Sequence, residues 1–271
     1  MRNTTWNPWD RASLIAKALL IPVAVLCFWQ WAGSRPDMAG IVPTPWKVLQ
    51  GWHDWIFASP GMGLNPYLGT WLSNVQYSSM RVSQGFALAA LIGVPMGLLI
   101  GWSRLFSQLV DPMVQSLRPI PITAWLPFSI ALFGIRDIGS VFLIFLGGFY
   151  AIVVNTTQGA RDVDKNLMRA ARMMGASSWT LLLRVVLPAA LPNIFTGIRI
   201  GMGIAWTAVV AAEMVAVKSG LGYVLWDAYY VGRMDIVLAD MASIGMMGYL
   251  SDRLIVITER RVLRWRLLQN H

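Results

Sequence analysis

The chain has 271 residues, 56% hydrophobic and 13% charged, about half the roughly 25% charge of an ordinary soluble domain. Its formal net charge is +9, from 22 Lys and Arg against 13 Asp and Glu. One cysteine, Cys27, and two histidines, His53 and His271, exclude an intramolecular disulfide or a zinc cage, and the low charge excludes a disordered chain or a nucleic-acid binder working through a basic face. What remains is a series of long uncharged runs, the pattern of a polytopic membrane protein.

Residues 18–34, bounded by Lys17 and Arg35, form the first apolar run. With a basic start it fits a retained span or a cleaved leader, but its bulky Phe28–Trp31 end is a poor cleavage site and a good interfacial anchor. The expectation is an N-terminal helix over 12–34. Residues 36–72 read as a loop punctuated by prolines, with a short interfacial helix around Trp46–Gly51. The second span is expected over 82–103, after Arg81, with Gly85, Ala89, Gly93, Gly97 and Gly101 at every fourth place as a close-packing stripe. Residues 104–121 are polar enough to face water. Arg118-Pro119-Ile120-Pro121 then breaks the chain before a short apolar run over 122–135, a half-length or tilted span. Clear spans follow at 138–160, 189–217 and 236–257, and 218–235 reads as a loop.

Six spans result. Counting basic residues with the N-terminus in the cytoplasm puts sixteen inside, Arg81 among them, and five outside, with Arg199 within a span. The positive-inside rule therefore places both ends in the cytoplasm. No enzyme constellation is visible, and none of the four lysines follows a glycine, so the chain carries no GxxxxGK[ST] phosphate loop. Cofactors and metals are not expected, and neither is nucleic acid.

Between the fourth and fifth spans, residues 162–188 read as a helix-turn-helix. Asp162 and Asp164 suit a helix start, Gly175 suits its end, Ser177 or Ser178 caps a second helix from Trp179, and Pro188 turns the chain toward the membrane. Small Ala170, Ala171, Gly175 and Ala176 at the bend, with Arg169, Arg172 and Arg184 around them, suit either a flat ledge for a partner protein or a surface helix on lipid.

These residues carry a resemblance. Ala170-Ala171, Gly175, Val185 and Leu187-Pro188 reproduce the spacing of the EAA loop of ATP-binding-cassette importer permeases, with Arg169 where the family has a glutamate. The stretches 117–135, 187–214, 219–228 and 260–265 resemble the branch that serves nitrate, taurine and aliphatic sulfonates, so the likeness covers about residues 75–265. It implies an all-α integral membrane protein of six transmembrane helices with the type I importer permease (MetI-like) fold, a single transmembrane domain over 1–271. It also implies a bacterial inner-membrane location, a second permease copy, and a cytoplasmic ATPase docked on Arg169, Ala170, Ala171, Gly175, Ala176, Leu187 and Pro188. A periplasmic or lipid-tethered binding protein would deliver a small anion (sulfonate, taurine or nitrate) for ATP-driven alternating access. An ion-coupled secondary transporter or channel is the alternative, but no buried acidic pair suggests its coupling-ion site.

The 189–214 span adds one expectation. At about 100° per residue, Arg199, Trp206 and Glu213 share one face, with Gly197, Gly201, Ala205, Ala208 and Ala212 near the other. The small-residue side is suited to close packing, and the charged side is expected to border the translocation pathway.

Overall fold

The computed structural model describes residues 8–38, 41–58 and 66–264. Every regular element among them is helical: α1 (Pro8–Gly33), α2 (Pro45–Phe57), α3 (Trp71–Trp102), α4 (Arg104–Leu109), α5 (Asp111–Leu117), α6 (Leu126–Phe133), α7 (Asp137–Arg161), α8 (Lys165–Met173), α9 (Ser178–Leu181), α10 (Leu187–Ala216), α11 (Leu221–Tyr230) and α12 (Met234–Val262). Two compact units can be distinguished. One takes the described residues up to Trp71 with Asp227–Met241, and the other takes Leu72–Trp226 with the described residues from Ala242 onward.

In the smaller unit, Thr44 caps α2 by accepting the Lys47 N–H, with Pro45 in the first turn where its missing N–H costs nothing. Trp29 Nε1 donates to Pro43 O at 3.0 Å, Trp55 Nε1 donates to Thr70 Oγ1 at 3.2 Å, and Tyr67 OH donates to Asp227 Oδ2 at 2.7 Å. These bonds give the amphipathic aromatics of this segment polar partners at one end while their rings stay apolar.

The larger unit is built on three helices. α3 and α7 run parallel, and the small-residue stripe expected on α3 lies on the contact. A Cβ at Gly85 would come 2.7 Å from Val141 O and one at Gly97 2.8 Å from Val153 O, so only glycine admits the α7 backbone this closely. α10 runs antiparallel to α7, with Gly201 against the Gly148 backbone and Gly197 against Asn155 and Ala151. The small-residue side of α10 is buried, as its spacing indicates: Ala205, Ala208 and Ala212 are at most 2% exposed.

Several boundaries differ from those expected. α3 begins at Trp71, not 82, because the charge of Arg81 does not end the helix; Arg81 is buried within it and paired. Arg81 lies beside Asp137 and Ser219, at the end of the bundle that the count of basic residues assigns to the outside. It therefore moves from the inside tally to the outside one, and the bias becomes fifteen to six. The 218–235 segment is not a plain loop but contains α11. Among the described residues, three continuous helices are long and apolar enough to cross a membrane: Trp71–Trp102, Asp137–Arg161 and Ser178–Ala216. The pair Arg104–Leu117 and Ile122–Phe133, bent by 92°, makes a fourth if taken as one broken span. The Pro119 and Pro121 elbow supplies the bend, since each proline lacks the N–H that would continue a helix. α12 has the length to cross, 29 residues, but Asp240, Asp252 and Arg253 lower its hydropathy. Six spans are therefore not all distinguishable by length and composition.

Candidate functional site

The 162–188 segment forms the helix-turn-helix read from its sequence. Asp164 caps α8 by accepting the Asn166 N–H at 2.8 Å. The helix closes with paired bonds from Ala176 N to Ala171 O at 3.1 Å and from Gly175 N to Arg172 O at 2.9 Å. That is a Schellman closure, and it puts Gly175 at φ +81°, a left-handed conformation that glycine adopts without strain. Ser177 Oγ then accepts the Thr180 N–H at 3.2 Å and starts α9. The segment continues through a π-helical turn, Leu182–Val186, directly into α10.

One side of this bend is anchored. Leu182, Val186, Ala190 and Ile194 pack with Leu98 of α3, Ala160 of α7 and Val163, and Met168 leans on the same cluster. Ala171 is also buried, while Ala176, Leu187 and Pro188 are half-buried. The other side is open: Arg169, Ala170 and Gly175 are exposed, and nothing lies within 4 Å of a Cβ placed at Gly175. The ledge is not purely small and flat, however. Met173 is 83% exposed, Met174 82% and Trp179 66%, so large apolar groups surround the small ones. The alanine and glycine spacing carries no sign of these groups. The nine-residue α8 is strongly amphipathic: Met168 turns to the side that packs on α3 and α7, and Met173 and Met174 fall outside it.

Arg199, Trp206 and Glu213 of α10 are not brought to one site. Arg199, exposed, pairs with Asp252 of α12 at 2.9 Å. Trp206 is buried and its Nε1 donates to Ser251 Oγ at 3.1 Å. Glu213 is wholly buried at the far end, where its carboxylate accepts from Arg81 NH1 at 2.6 Å, from Ser78 Oγ at 2.9 Å and from Gly222 N at 3.0 Å. Arg81 also reaches Asp137 at 2.7 Å and the Ser219 carbonyl at 2.8 Å, and Ser78 accepts the Leu221 N–H. This clasp locks the turn after α10 onto α3 and the start of α7. A buried ion pair is costly unless its remaining hydrogen bonds are satisfied, and here they are. Nothing in the sequence links Arg81 with Glu213 across 132 residues. The available signal was a lone arginine inside a helix pattern that continues past it. Among the described residues no group of three or more His, Cys, Asp or Glu is placed to hold a metal ion.

Residues 91–264 match the family model described as binding-protein-dependent transport system inner membrane component. The chain is 34% identical over 251 residues to the putative aliphatic sulfonates transport permease protein SsuC of Bacillus subtilis, covering 92% of this chain and 87% of that protein. It is 33% identical over 253 residues to the nitrate import permease protein NrtB of Synechocystis sp., covering 93% and 89%. In fold it is similar to the inward-facing MetNI methionine ABC transporter, with a TM-score of 0.60 at 21% identity over 70% of this chain and 95% of that one. A membrane-embedded helical bundle with a capped, solvent-facing bend between two of its spans is thus matched by family and by fold together. The chain belongs to the binding-protein-dependent transport system inner membrane component family: it is the multi-pass permease subunit of an ATP-binding-cassette importer, which works with a separate ATPase and a binding protein.

Proposed function

We propose that the chain imports a small inorganic or organic oxyanion of the nitrate or sulfonate class, taurine included, as one of two identical permease copies with both termini in the cytoplasm. The ATPase docks on Arg169, Ala170, Ala171, Gly175 and Ala176, with Leu187 and Pro188 setting the angle at which the segment enters the membrane. The observation that carries this reading is the bend itself. Its inner side is fixed to α3 and α7, while Met173, Met174 and Trp179 stand in the open around Gly175. Exposed large apolar groups with basic neighbours suit a partner protein better than water. The relatives named for nitrate and sulfonate support the substrate class.

The Arg199, Trp206 and Glu213 edge of α10 borders the pathway in this proposal. Arg199 faces the open side, and Trp206 and Glu213 act at one remove, by fixing α12 and α3 around it.

Two measurements test the scheme. In a Cys27→Ser background, Arg169→Cys and Arg233→Cys are treated with an impermeant thiol reagent on intact cells; only the second is expected to react, and labelling of the first overturns the topology. Gly175→Arg is expected to abolish copurification with the ATPase and ATP-driven uptake while inserting normally. A Gly175→Arg variant that retains both removes the docking role from this bend.

A further inference from the structure

The elbow Arg118-Pro119-Ile120-Pro121 is where the chain leaves helical geometry between α5 and α6. Irregular backbone at membrane depth is tolerated where it lines a cavity or is buried in protein, and here it forms one wall of a cavity of about 300 Å³ against α7 and α10. The polar groups on that wall are few. The Arg118 side chain makes no hydrogen bond or ion pair with any described residue. Tyr150 is 8% exposed, and its hydroxyl likewise has no hydrogen-bond partner among the described residues. The residue lines the cavity, so its hydroxyl can donate to a group bound there. Asn155 gives one amide N–H to Ala151 O at 2.8 Å and keeps a second. The remaining wall is apolar, with Ile200 and Ile204 of α10 prominent.

Among the described residues no carboxylate lines this cavity. That sets it apart from the cleft beside Arg35, Lys47 and Arg233, which also holds Asp54 and Asp235, and from the one beside Arg136 and Lys218, which holds Asp137. In those two a bound anion would meet negative charge; here it meets one cation, two neutral donors and a greasy surface. Arg118 is exposed to the cavity side of the elbow, and a cation with open donors binds most strongly the group that supplies both charge and acceptor oxygens. The volume lies at the lower end of the range for ligand sites, which suits a small molecule.

We infer that this cavity is a small-oxyanion site within the permease, with Arg118 taking the charge, Tyr150 and Asn155 donating to oxygen atoms, and Ile200 and Ile204 meeting any apolar substituent. The inference rests on the anion-import reading above and adds to it a location and a ligand set. None of these five residues belongs to the α10 edge of Arg199, Trp206 and Glu213.

The test uses the full chain in lipid nanodiscs, with Cys27→Ser and Ile200→Cys providing a single thiol on the apolar wall. Two methanethiosulfonate reagents are compared, one bearing a sulfonate and one a trimethylammonium group, each rate normalised to a small free thiol. The sulfonate reagent is expected to be favoured about tenfold, equivalent to 1.4 kcal/mol, and Arg118→Gln is expected to erase the preference while Arg118→Lys keeps most of it. Sodium nitrate and sodium methanesulfonate are expected to slow labelling, with the half-protecting concentration raised about tenfold by Arg118→Gln and about threefold by Tyr150→Phe. Choline chloride is the cation control. Equal normalised rates without protection by either anion, or protection unchanged in Arg118→Gln, overturn the site. Uptake by the assembled transporter is read separately. Arg118-dependent protection in a transporter that carries neither anion would overturn the import reading and leave the site standing.

Discussion

At one end of the α3–α7–α10 bundle, Glu213, Arg81 and Ser78 are almost wholly buried and spend their hydrogen bonds on one another and on the turn after α10. At the other end, Met173, Met174 and Trp179 stand in the open on a bend whose backbone is already capped. The first region uses charge to hold the chain to itself and the second presents apolar surface that the chain does not use. The difference teaches that, within this bundle, polarity is not a guide to function. The most strongly charged cluster is an internal fastening, and the bend proposed to receive the ATPase is marked by exposed apolar groups.

The largest effect is expected at the clasp. Arg81→Met leaves the Glu213 carboxylate buried without its cation, and stranding one partner of a buried pair costs roughly 3–5 kcal/mol. Folded yield by size-exclusion chromatography should fall steeply, and Arg81→Met combined with Glu213→Leu should recover much of it. If the single variant is as stable as the parent, the clasp is not a fastening. Next comes the helix contact between the two ends. Gly201→Leu forces a side chain against the Gly148 carbonyl, which already lies 3.1 Å from where a Cβ would sit. Overpacking of this kind costs roughly 1–3 kcal/mol, readable as a lower midpoint in detergent melting.

Arg199→Gln should be milder still. Its pair with Asp252 is 44% and 34% exposed, and exposed pairs contribute about 0–1 kcal/mol. A near-normal melting midpoint with altered uptake would place Arg199 on the pathway; unchanged uptake would remove it. The smallest change in stability is expected at the bend, where Trp179→Ala should shift stability by no more than about 0.5 kcal/mol yet weaken ATPase copurification. A large loss of folded protein from Trp179→Ala would break the contrast between the two ends, because it would show that the exposed tryptophan serves the chain's own packing.

Local features were legible in the sequence. The small-residue stripe of α3, the caps at Asp164 and Ser177, and the helix end at Gly175 each follow from a few neighbouring residues and their backbone preferences. What could not be read were pairings set by the fold. Arg81 meets Glu213 only because α3 and α10 converge, and Arg199 finds Asp252 only because α12 runs back along α10. A helical wheel places Arg199, Trp206 and Glu213 on a common face, but it cannot say that each faces a different neighbour. The helix within 218–235 was obscured for a local reason: Gly220, Gly222 and Gly232 punctuate the segment as a loop would, while α11 fits between Gly220 and Gly232 and takes Gly222 into its first turn.

One continuous helical stretch, Ser178–Ala216, joins the exposed bend to the clasp without interruption. Its 39 residues span about 58 Å at the usual rise per residue. A helix of that length behaves as a connecting rod: it resists compression, so force applied beside Trp179 reaches Glu213 as rotation and not as shortening. A tilt of about 5° would carry the far end through about 5 Å, by the same length estimate. The weak joints, the π-helical turn Leu182–Val186 and Pro192, both lie in the half of the rod nearer the bend. Whatever seats itself on the bend therefore works against a stiff shaft whose pivot lies close to the hand that moves it.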